Sequence, residues 1–296
     1  IRDSGNMGMP MAANLAAAGH EVTGYDVSDV RPDSLNMASS AAAAATGRDA
    51  VITMLPDGGT LRQVAADIIP VMAAGSALID CSTVDVDSAR DVAAMAGEGG
   101  LLAVDAPVSG GVGGARNGSL TFMAGGPDAG FVLAAPLFEI MGAKAVHCGG
   151  SGAGQAAKIC NNMILGATMI VTCEAFALAD GLGLDRQKMF DVVSTSSGYS
   201  WSMNSYCPAP GVGPESPSDN GYIPGFSADL MLKDLRLALQ AAQSAGADTP
   251  LGAAAQELYE TFVEEEDGSG RDFSAMLQRF ELSLIHISEP TRHTRI

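Results

Sequence analysis

Residues 163–179, MILGATMIVTCEAFALA, form an apolar run interrupted by Thr, Cys and Glu174. Such a run reads as a helix buried on most of its sides. Taken from about Gly154 to Ala179 it would extend roughly 39 Å at 1.5 Å per residue, the scale of a whole domain. Other elements must therefore be laid against it. It is entered through GGSGAGQAAKICNN, Gly149 to Asn162, whose glycines can bend sharply. Lys158 and Asn162 are four apart and project from one face of the first turns. A lysine beside an amide, near a glycine loop and at the edge of an apolar helix, is a candidate for chemistry. The same spacing suits a solvated helix lysine, and spacing alone leaves both readings open.

The chain has 296 residues, room for two domains, and 47% of them are hydrophobic, ample for packed cores. Its net charge is 16 − 34 = −18. Nucleic acid and anionic membrane surfaces are therefore poor partners, and an anionic ligand would need local cations to overcome that field. Five cysteines without paired spacing point to reduced thiols in an intracellular compartment. No apolar stretch of membrane length stands free of Gly and polar residues, so no span is expected. No metal site is expected either.

Near the front, Gly5-Asn6-Met7-Gly8 leads into MPMAANLAAAGH, a good helix former that stops at Gly19. EVTGYDV then reads as a strand closing on Asp26. Gly-x-x-Gly at a helix start, followed by a strand ending in an acid, is the skeleton of a dinucleotide-binding fingerprint. Asp26 follows Gly8 by 26 − 8 = 18 residues, close to the offset of about 20 for a carboxylate on the adenosine ribose. Such an acid accepts the ribose hydroxyls and repels a 2′-phosphate, which favours NAD over NADP. The motif is incomplete: Asp3 occupies the first glycine position, where a pyrophosphate needs room and donors.

Strands and helices go on alternating. Asp49–Leu55, Ala77–Asp80, Leu101–Asp105, Leu120–Ala124 and Ala145–His147 read as strands, with helices near Leu61–Met72 and Ala89–Ala96. Repeated βα units imply a parallel sheet covered by helices, with ligands at the C-terminal strand ends. Leu55-Pro56, Thr83 and the segment after Asp105 all fall at such ends. That segment, DAPVSGG, carries small residues whose backbone N–H groups can form a nest for a carboxylate, or simply a tight loop. Beyond the long helix, Gly181–Ser194, Ser227–Gly246, Leu251–Glu265 and Phe273–Phe280 show helical spacing. The stretch from Cys207 to Gly225, rich in Pro and Gly, reads as a connector, a pocket edge or a lid.

Four ordered motifs carry a resemblance: DAPVSGG at 105–111, GxxGxGxxxKxxxN at 149–162, TMLP at 53–56 and LMLKDLRLA at 230–238. Together they resemble the 3-hydroxyisobutyrate dehydrogenase branch of the β-hydroxyacid dehydrogenases, almost continuously from Gly5 to about Phe280. SSGYSW and CPAPGVGPESPSDNGYIPGF resemble that branch more than its sugar-acid or glyoxylate relatives. The resemblance implies an α/β Rossmann domain at 1–150 and an all-helical substrate and dimerisation domain at 151–280, joined by a long helix beginning near Lys158. It implies NAD as cofactor, with Gly5, Asn6, Met7, Gly8, Asp26, Leu55, Pro56, Thr60, Thr83 and Lys233 near it. Thr60 departs from the Asn common in closer relatives, which puts its contact in doubt. Lys158 would be the general acid/base, with Ser109, Gly110, Gly111, Asn162 and Lys233 around the substrate. A lysine suits that role only if burial and a second cation, for which Lys233 is the candidate, lower its pKa. Trp201, Tyr206 and Phe226 would line a pocket for a branched small acid, though each also suits plain packing.

The implied reaction is NAD-dependent oxidation of 3-hydroxyisobutyrate to methylmalonate semialdehyde, a step of valine breakdown. The alternatives are a reductase of a related semialdehyde (tartronate or succinate type) and a non-catalytic scaffold, against which retention of the lysine weighs. The expected partners are a small hydroxy acid and a second copy of the chain, as homodimer or homotetramer. Eukaryotic relatives are mitochondrial and bacterial ones cytoplasmic. The two ends differ from the rest. No strand precedes the glycines, and losing about four buried side chains of a central strand at about 1.5–3 kcal/mol each would remove roughly 6–12 kcal/mol. The chain as written is therefore expected to be unstable or to bind NAD poorly. Residues 281–296, with no helical apolar period, read as a non-native tail.

Overall fold

The computed structural model describes residues 7–28 and 35–287. Asp3, Gly5 and Asn6 of the glycine motif, and the tail from 288 onward, lie outside the described residues. The chain divides into two units between Cys160 and Asn161.

The first unit opens with α1 (Gly8–Ala17), β1 (Thr23–Gly24), β2 (Asn36–Met37) and α2 (Ala41–Ala45). β1 pairs in parallel with β2. The strand expected over EVTGYDV is thus only two residues long, and Asp26 lies two residues past its end. There follow β3 (Ala50–Thr53), α3 (Gly58–Ile68), β4 (Ala77–Asp80), α4 (Val86–Glu98), β5 (Leu102–Asp105), β6 (Val108–Ser109), α5 (Gly111–Asn117), β7 (Leu120–Gly125), α6 (Asp128–Met141) and β8 (Gly142–Gly149). The main sheet runs β3-β4-β5-β7-β6, with β8 also on β7.

All four residues of β4 are buried, as a parallel strand covered on both faces requires. The loops that leave β3 and β4 reach helices with acidic N-caps. Asp57 accepts from the Thr60 N–H at the start of α3, and Asp85 from the Ser88 N–H at the start of α4. Each such cap is typically worth about 1 kcal/mol.

The sheet corrects the expectation of an all-parallel order. β3, β4 and β5 are parallel, but β7 runs antiparallel to both β5 and β6. The cause is local: Val108–Ser109, inside the segment read as a loop, is a short strand that turns back through α5 onto β7. Sequence reading missed α5 and α6 for compositional reasons. α5 is GVGGARN, whose glycines are poor helix formers. α6 contains Pro136 and is apolar nearly throughout, so it lacks a clean amphipathic period.

The long helix α7 (Ala153–Gly181) begins five residues before Lys158. By length and composition alone it is long and apolar enough to cross a membrane. Half of that window is buried within the fold.

The second unit contains the C-terminal part of α7 with α8 (Arg186–Val193), α9 (Trp201–Asn204), α10 (Ala228–Ala245), α11 (Pro250–Glu265) and α12 (Met276–Ile287). Met169, Cys173 and Phe176 of α7 pack with Met231 and Leu235 of α10 and with Tyr259 and Phe262 of α11. α12 continues to Ile287, seven residues past the boundary at Phe280, so the lack of helical order expected from 281 does not hold for 281–287. The stretch 207–225 is tied to its own backbone. The Ser216 and Ser218 hydroxyls donate to the Cys207 carbonyl and the Tyr222 hydroxyl to the Pro208 carbonyl.

Candidate active site

In the first unit, β3, β4 and β5 run in parallel and end together at Thr53, Asp80 and Asp105, which are register partners in turn. Three buried polar residues therefore meet at one sheet end. Asp80 Oδ1 accepts from Thr53 Oγ1 at 2.7 Å, Ser82 Oγ at 2.5 Å and Ser82 N at 3.2 Å. The Leu55 N–H donates to Ser82 Oγ at 2.7 Å. The loops carrying Leu55-Pro56 and Thr83 are thus fixed to each other through Ser82.

Asp105 has a different task. Its Oδ1 accepts from Gly152 N at 2.7 Å and its Oδ2 from Gln155 N at 2.9 Å, so it caps the N-terminus of α7 from a distant strand. The close fit needs glycine at two places. A Cβ at Gly154 would lie 2.2 Å from the Met123 carbonyl oxygen, and one at Gly125 would lie 2.6 Å from Gly154 N. Burial, and the neighbouring Asp80, push the Asp105 carboxyl up to about 6, against the pull of the two N–H donors.

Lys158 sits on the second turn of α7 and is 8% exposed, which removes the solvated reading of this residue. Ser109, Gly110 and Gly111 lie where β6 passes into α5. Gly110 at φ +129° and Gly111 at φ +60° adopt backbone that side chains disfavour. The segment can therefore bring main-chain N–H groups close to an anion without a Cβ in the way.

Of the residues assigned to a nicotinamide dinucleotide, Met7, Gly8 and Asp26 lie at the start of α1 and just beyond β1. The first turn of α1 holds no acidic residue, so no carboxylate within it opposes the positive end of its dipole. Asp26 stands just beyond β1, its Oδ1 accepting from Ser28 N and Oγ. Met7 and Gly8 begin the helix, while Gly5 and Asn6 fall outside the described residues. Thr60 lies on the first turn of α3. Its N–H and hydroxyl both donate to Asp57, the N-cap of α3, at 2.7 and 3.0 Å, so its hydroxyl proton is directed there.

In the second unit Asn162 is buried, and its Nδ2 donates to Asp234 Oδ2 at 2.5 Å. Its Oδ1 accepts from Asn161 Nδ2 at 2.9 Å. Lys233 Nζ lies 3.3 Å from Asp234 Oδ1. Its charge is therefore partly offset by an adjacent carboxylate, which weakens the expectation that it acts as an unopposed second cation. Trp201 stacks on Tyr206 at 4.8 Å, Tyr206 lies against Phe273, and Phe226 meets Phe273 edge-on. The Tyr206 hydroxyl and the Gly225 and Phe226 N–H groups all donate to the fully buried Asp272. Tyr206 and Phe226 pack against the core of this unit, whereas Trp201 is 50% exposed.

Sequence reading missed Asp80, Ser82, Gln155 and Asp234. Gln155 carried a usable signal: it is the polar residue one turn before Lys158 in an otherwise small-residue segment.

A family model described as the NAD binding domain of 6-phosphogluconate dehydrogenase matches residues 4–150. Another, described as the NAD-binding domain of NADP-dependent 3-hydroxyisobutyrate dehydrogenase, matches 152–280. The 3-hydroxyisobutyrate dehydrogenase of Pseudomonas aeruginosa is 46% identical over 281 residues, covering 92% of this chain and 94% of that protein. The NAD-dependent L-serine dehydrogenase of the same organism is 41% identical, covering 94% of this chain and 95% of its own. The solved structure of Mycobacterium tuberculosis 3-hydroxyisobutyrate dehydrogenase with L-serine superposes with a TM-score of 0.90 at 43% identity, covering 94% of this chain and 97% of that one. With a Rossmann sheet end, a buried helix lysine and relatives of this identity across nearly its whole length, the chain belongs to the 3-hydroxyisobutyrate dehydrogenase family of NAD-dependent oxidoreductases.

Proposed function

We propose that the chain oxidises 3-hydroxyisobutyrate to methylmalonate semialdehyde, with Lys158 as the general acid/base. The burial of Lys158 carries this reading, because a lysine kept from solvent on the first turns of α7 has no surface role to explain it. Its amine takes the hydroxyl proton at Nζ as the C–H electron pair leaves the same carbon. A nicotinamide, when bound, would supply the acceptor for that hydride. The Ser109 hydroxyl and the N–H groups of Gly110 and Gly111 hold the substrate carboxylate. Asn162 donates to the substrate, its amide oriented by Asp234. Asp26 accepts the ribose hydroxyls, Leu55, Pro56 and Thr83 border the cofactor, and Lys233 contributes positive charge.

The chain assembles as a homodimer or homotetramer. Support comes from Ile164, Val171 and Leu178, large exposed apolar residues at successive seven-residue intervals along α7. Valine breakdown is the pathway this reaction would serve.

L-serine is the second reading, favoured by the relative named for it and by the solved structure that contains it. It replaces a methyl by an ammonium, and a site for it must offer acceptors where 3-hydroxyisobutyrate needs apolar contact. The deciding experiment is NADH formation from (S)-3-hydroxyisobutyrate, with L-serine, glycerate and 4-hydroxybutyrate as competitors. Higher kcat/KM for 3-hydroxyisobutyrate is expected. A preference for serine would move the chain to the second reading.

A further inference from the structure

Gln155 is fully buried, and no role assigned above uses its side chain. Its amide is satisfied at both ends by one short segment. Nε2 donates to the Ser82 carbonyl at 2.8 Å, and Oε1 accepts from the Val84 N–H at 3.1 Å. Its own N–H is held by Asp105. The two bonds grip the peptide groups on either side of Thr83, while Lys158 follows Gln155 by three residues on the same helix. Ser82 is anchored in turn to Asp80 and to the Leu55 N–H. A primary amide donates from one atom of its head group and accepts at the other, and a buried peptide group left without such a partner is destabilising.

We propose that Gln155 is a positioning residue. It locks the Ser82–Val84 segment, and with it Thr83, to the turn of α7 that carries Lys158. The proposal rests on the functional reading above, in which Thr83 borders the cofactor and Lys158 moves the proton. Errors of about 1 Å in such a register can cost on the order of 100-fold in rate.

The test compares the full-length wild type with Gln155→Ala and Gln155→Glu, by steady-state kinetics and by hydrogen exchange of the Val84 amide. Gln155→Ala should lower kcat by roughly 10- to 100-fold while KM for NAD shifts by only a few fold, and Val84 exchange should accelerate. Gln155→Glu keeps the acceptor for Val84 but, when ionised, has no proton for the Ser82 carbonyl. Val84 should stay protected and kcat should fall. The ratio of its kcat to that of the wild type should then recover as pH is lowered and the new carboxyl gains a proton. Asp80 and Asp105, the carboxylates bonded to Ser82 and to the Gln155 N–H, are common to both proteins and largely cancel in that ratio. An unchanged Val84 exchange rate in Gln155→Ala, or a kcat within about twofold of wild type, would overturn the proposal. If Gln155→Ala does not fold, the Gln155→Glu pH ratio decides, and a flat ratio counts against it. A wild type without turnover on any β-hydroxy acid would defeat the functional reading instead, and Val84 exchange would then decide the clamp alone.

Discussion

Asp80 and Asp105 end neighbouring parallel strands in direct register, so two buried carboxyls lie side by side at the end of the sheet. The fold separates their duties. Asp80 gathers the hydroxyls and N–H groups of its own and the preceding strand end, whereas Asp105 turns both oxygens to the start of α7. Its two N–H donors do not offset burial and the like charge beside it, so the carboxyl keeps its proton up to about pH 6.

That shift fixes a sign. In the unfolded chain the Asp105 proton leaves near 3.8, and in the folded chain near 6. Between those values the folded state holds the extra proton, so the stabilisation is complete below about 3.8 and is lost as pH rises through 6. The size is on the order of 3 kcal/mol. Asp80, and the Cys148 thiol that senses the same charge, are the titratable neighbours. The urea midpoint of wild type relative to Asp105→Asn should therefore decline between pH 4 and 7. A constant difference would contradict it.

Gly154→Ala tests the approach of α7 to the sheet. Alanine gains about 1 kcal/mol of helix propensity. Its Cβ, however, would sit 2.2 Å from the Met123 carbonyl oxygen and 2.5 Å from that of Asp105, both backbone atoms that cannot swing aside. Overpacking of this kind costs about 1–3 kcal/mol or more, so net destabilisation is expected. Gly97→Ala in α4, where a Cβ meets nothing within 4 Å, should be neutral or stabilising. Thermal unfolding of both variants reads the contrast.

Lys158→Ala should lower kcat by about 10²–10⁴-fold, the usual worth of a positioned acid/base, with NAD affinity kept. Lys158→Arg should be nearly as inactive, because guanidinium stays protonated at any working pH. Stopped-flow hydride transfer, with NAD binding followed by fluorescence, separates the two quantities. Intact turnover in Lys158→Ala would remove the residue from the chemistry.

The sequence made much of this legible, and the limits are physical. β4 was readable because a strand buried on both faces is a continuous apolar run, and α7 because 163–179 is an apolar run of helical length. α5 and α6 were not, since glycine and an internal proline contradict the helices that tertiary packing imposes. Lys158, Asn162 and the glycines at 110–111 stood out through motif spacing. The carboxylates and amides that hold them did not, because Asp105 and Gly152 are 47 apart in the chain and Asn162 and Asp234 are 72 apart. Thr60 was assigned to the cofactor through the family resemblance, and its bonds to Asp57 became visible only in the helix cap.

Asp26→Ser tests cofactor choice. Removing the carboxylate takes away the acceptor for the ribose hydroxyls and the charge that repels a 2′-phosphate. KM for NAD should rise by roughly tenfold, about 1.4 kcal/mol and within the range for a hydrogen bond to a charged group. KM for NADP should fall. Unchanged discrimination between the two cofactors would place the determinant elsewhere.

Val171→Asp tests assembly through α7. Ile164, Val171 and Leu178 are 61%, 55% and 63% exposed, and their spacing keeps them on one helix face. Three large apolar side chains in such a row leave an unpaid hydrophobic contribution of about 1.5–3 kcal/mol each. In a two-fold interface every residue counts twice, so one charge on the stripe should weaken the dimer by roughly 3–6 kcal/mol. That is a factor of about 10² to 10⁴ in Kd. Light scattering across a dilution series should show the wild type as a dimer or larger and Val171→Asp dissociating at far higher concentration. A monomeric wild type, or a variant that assembles as well, would mean the stripe is not the contact.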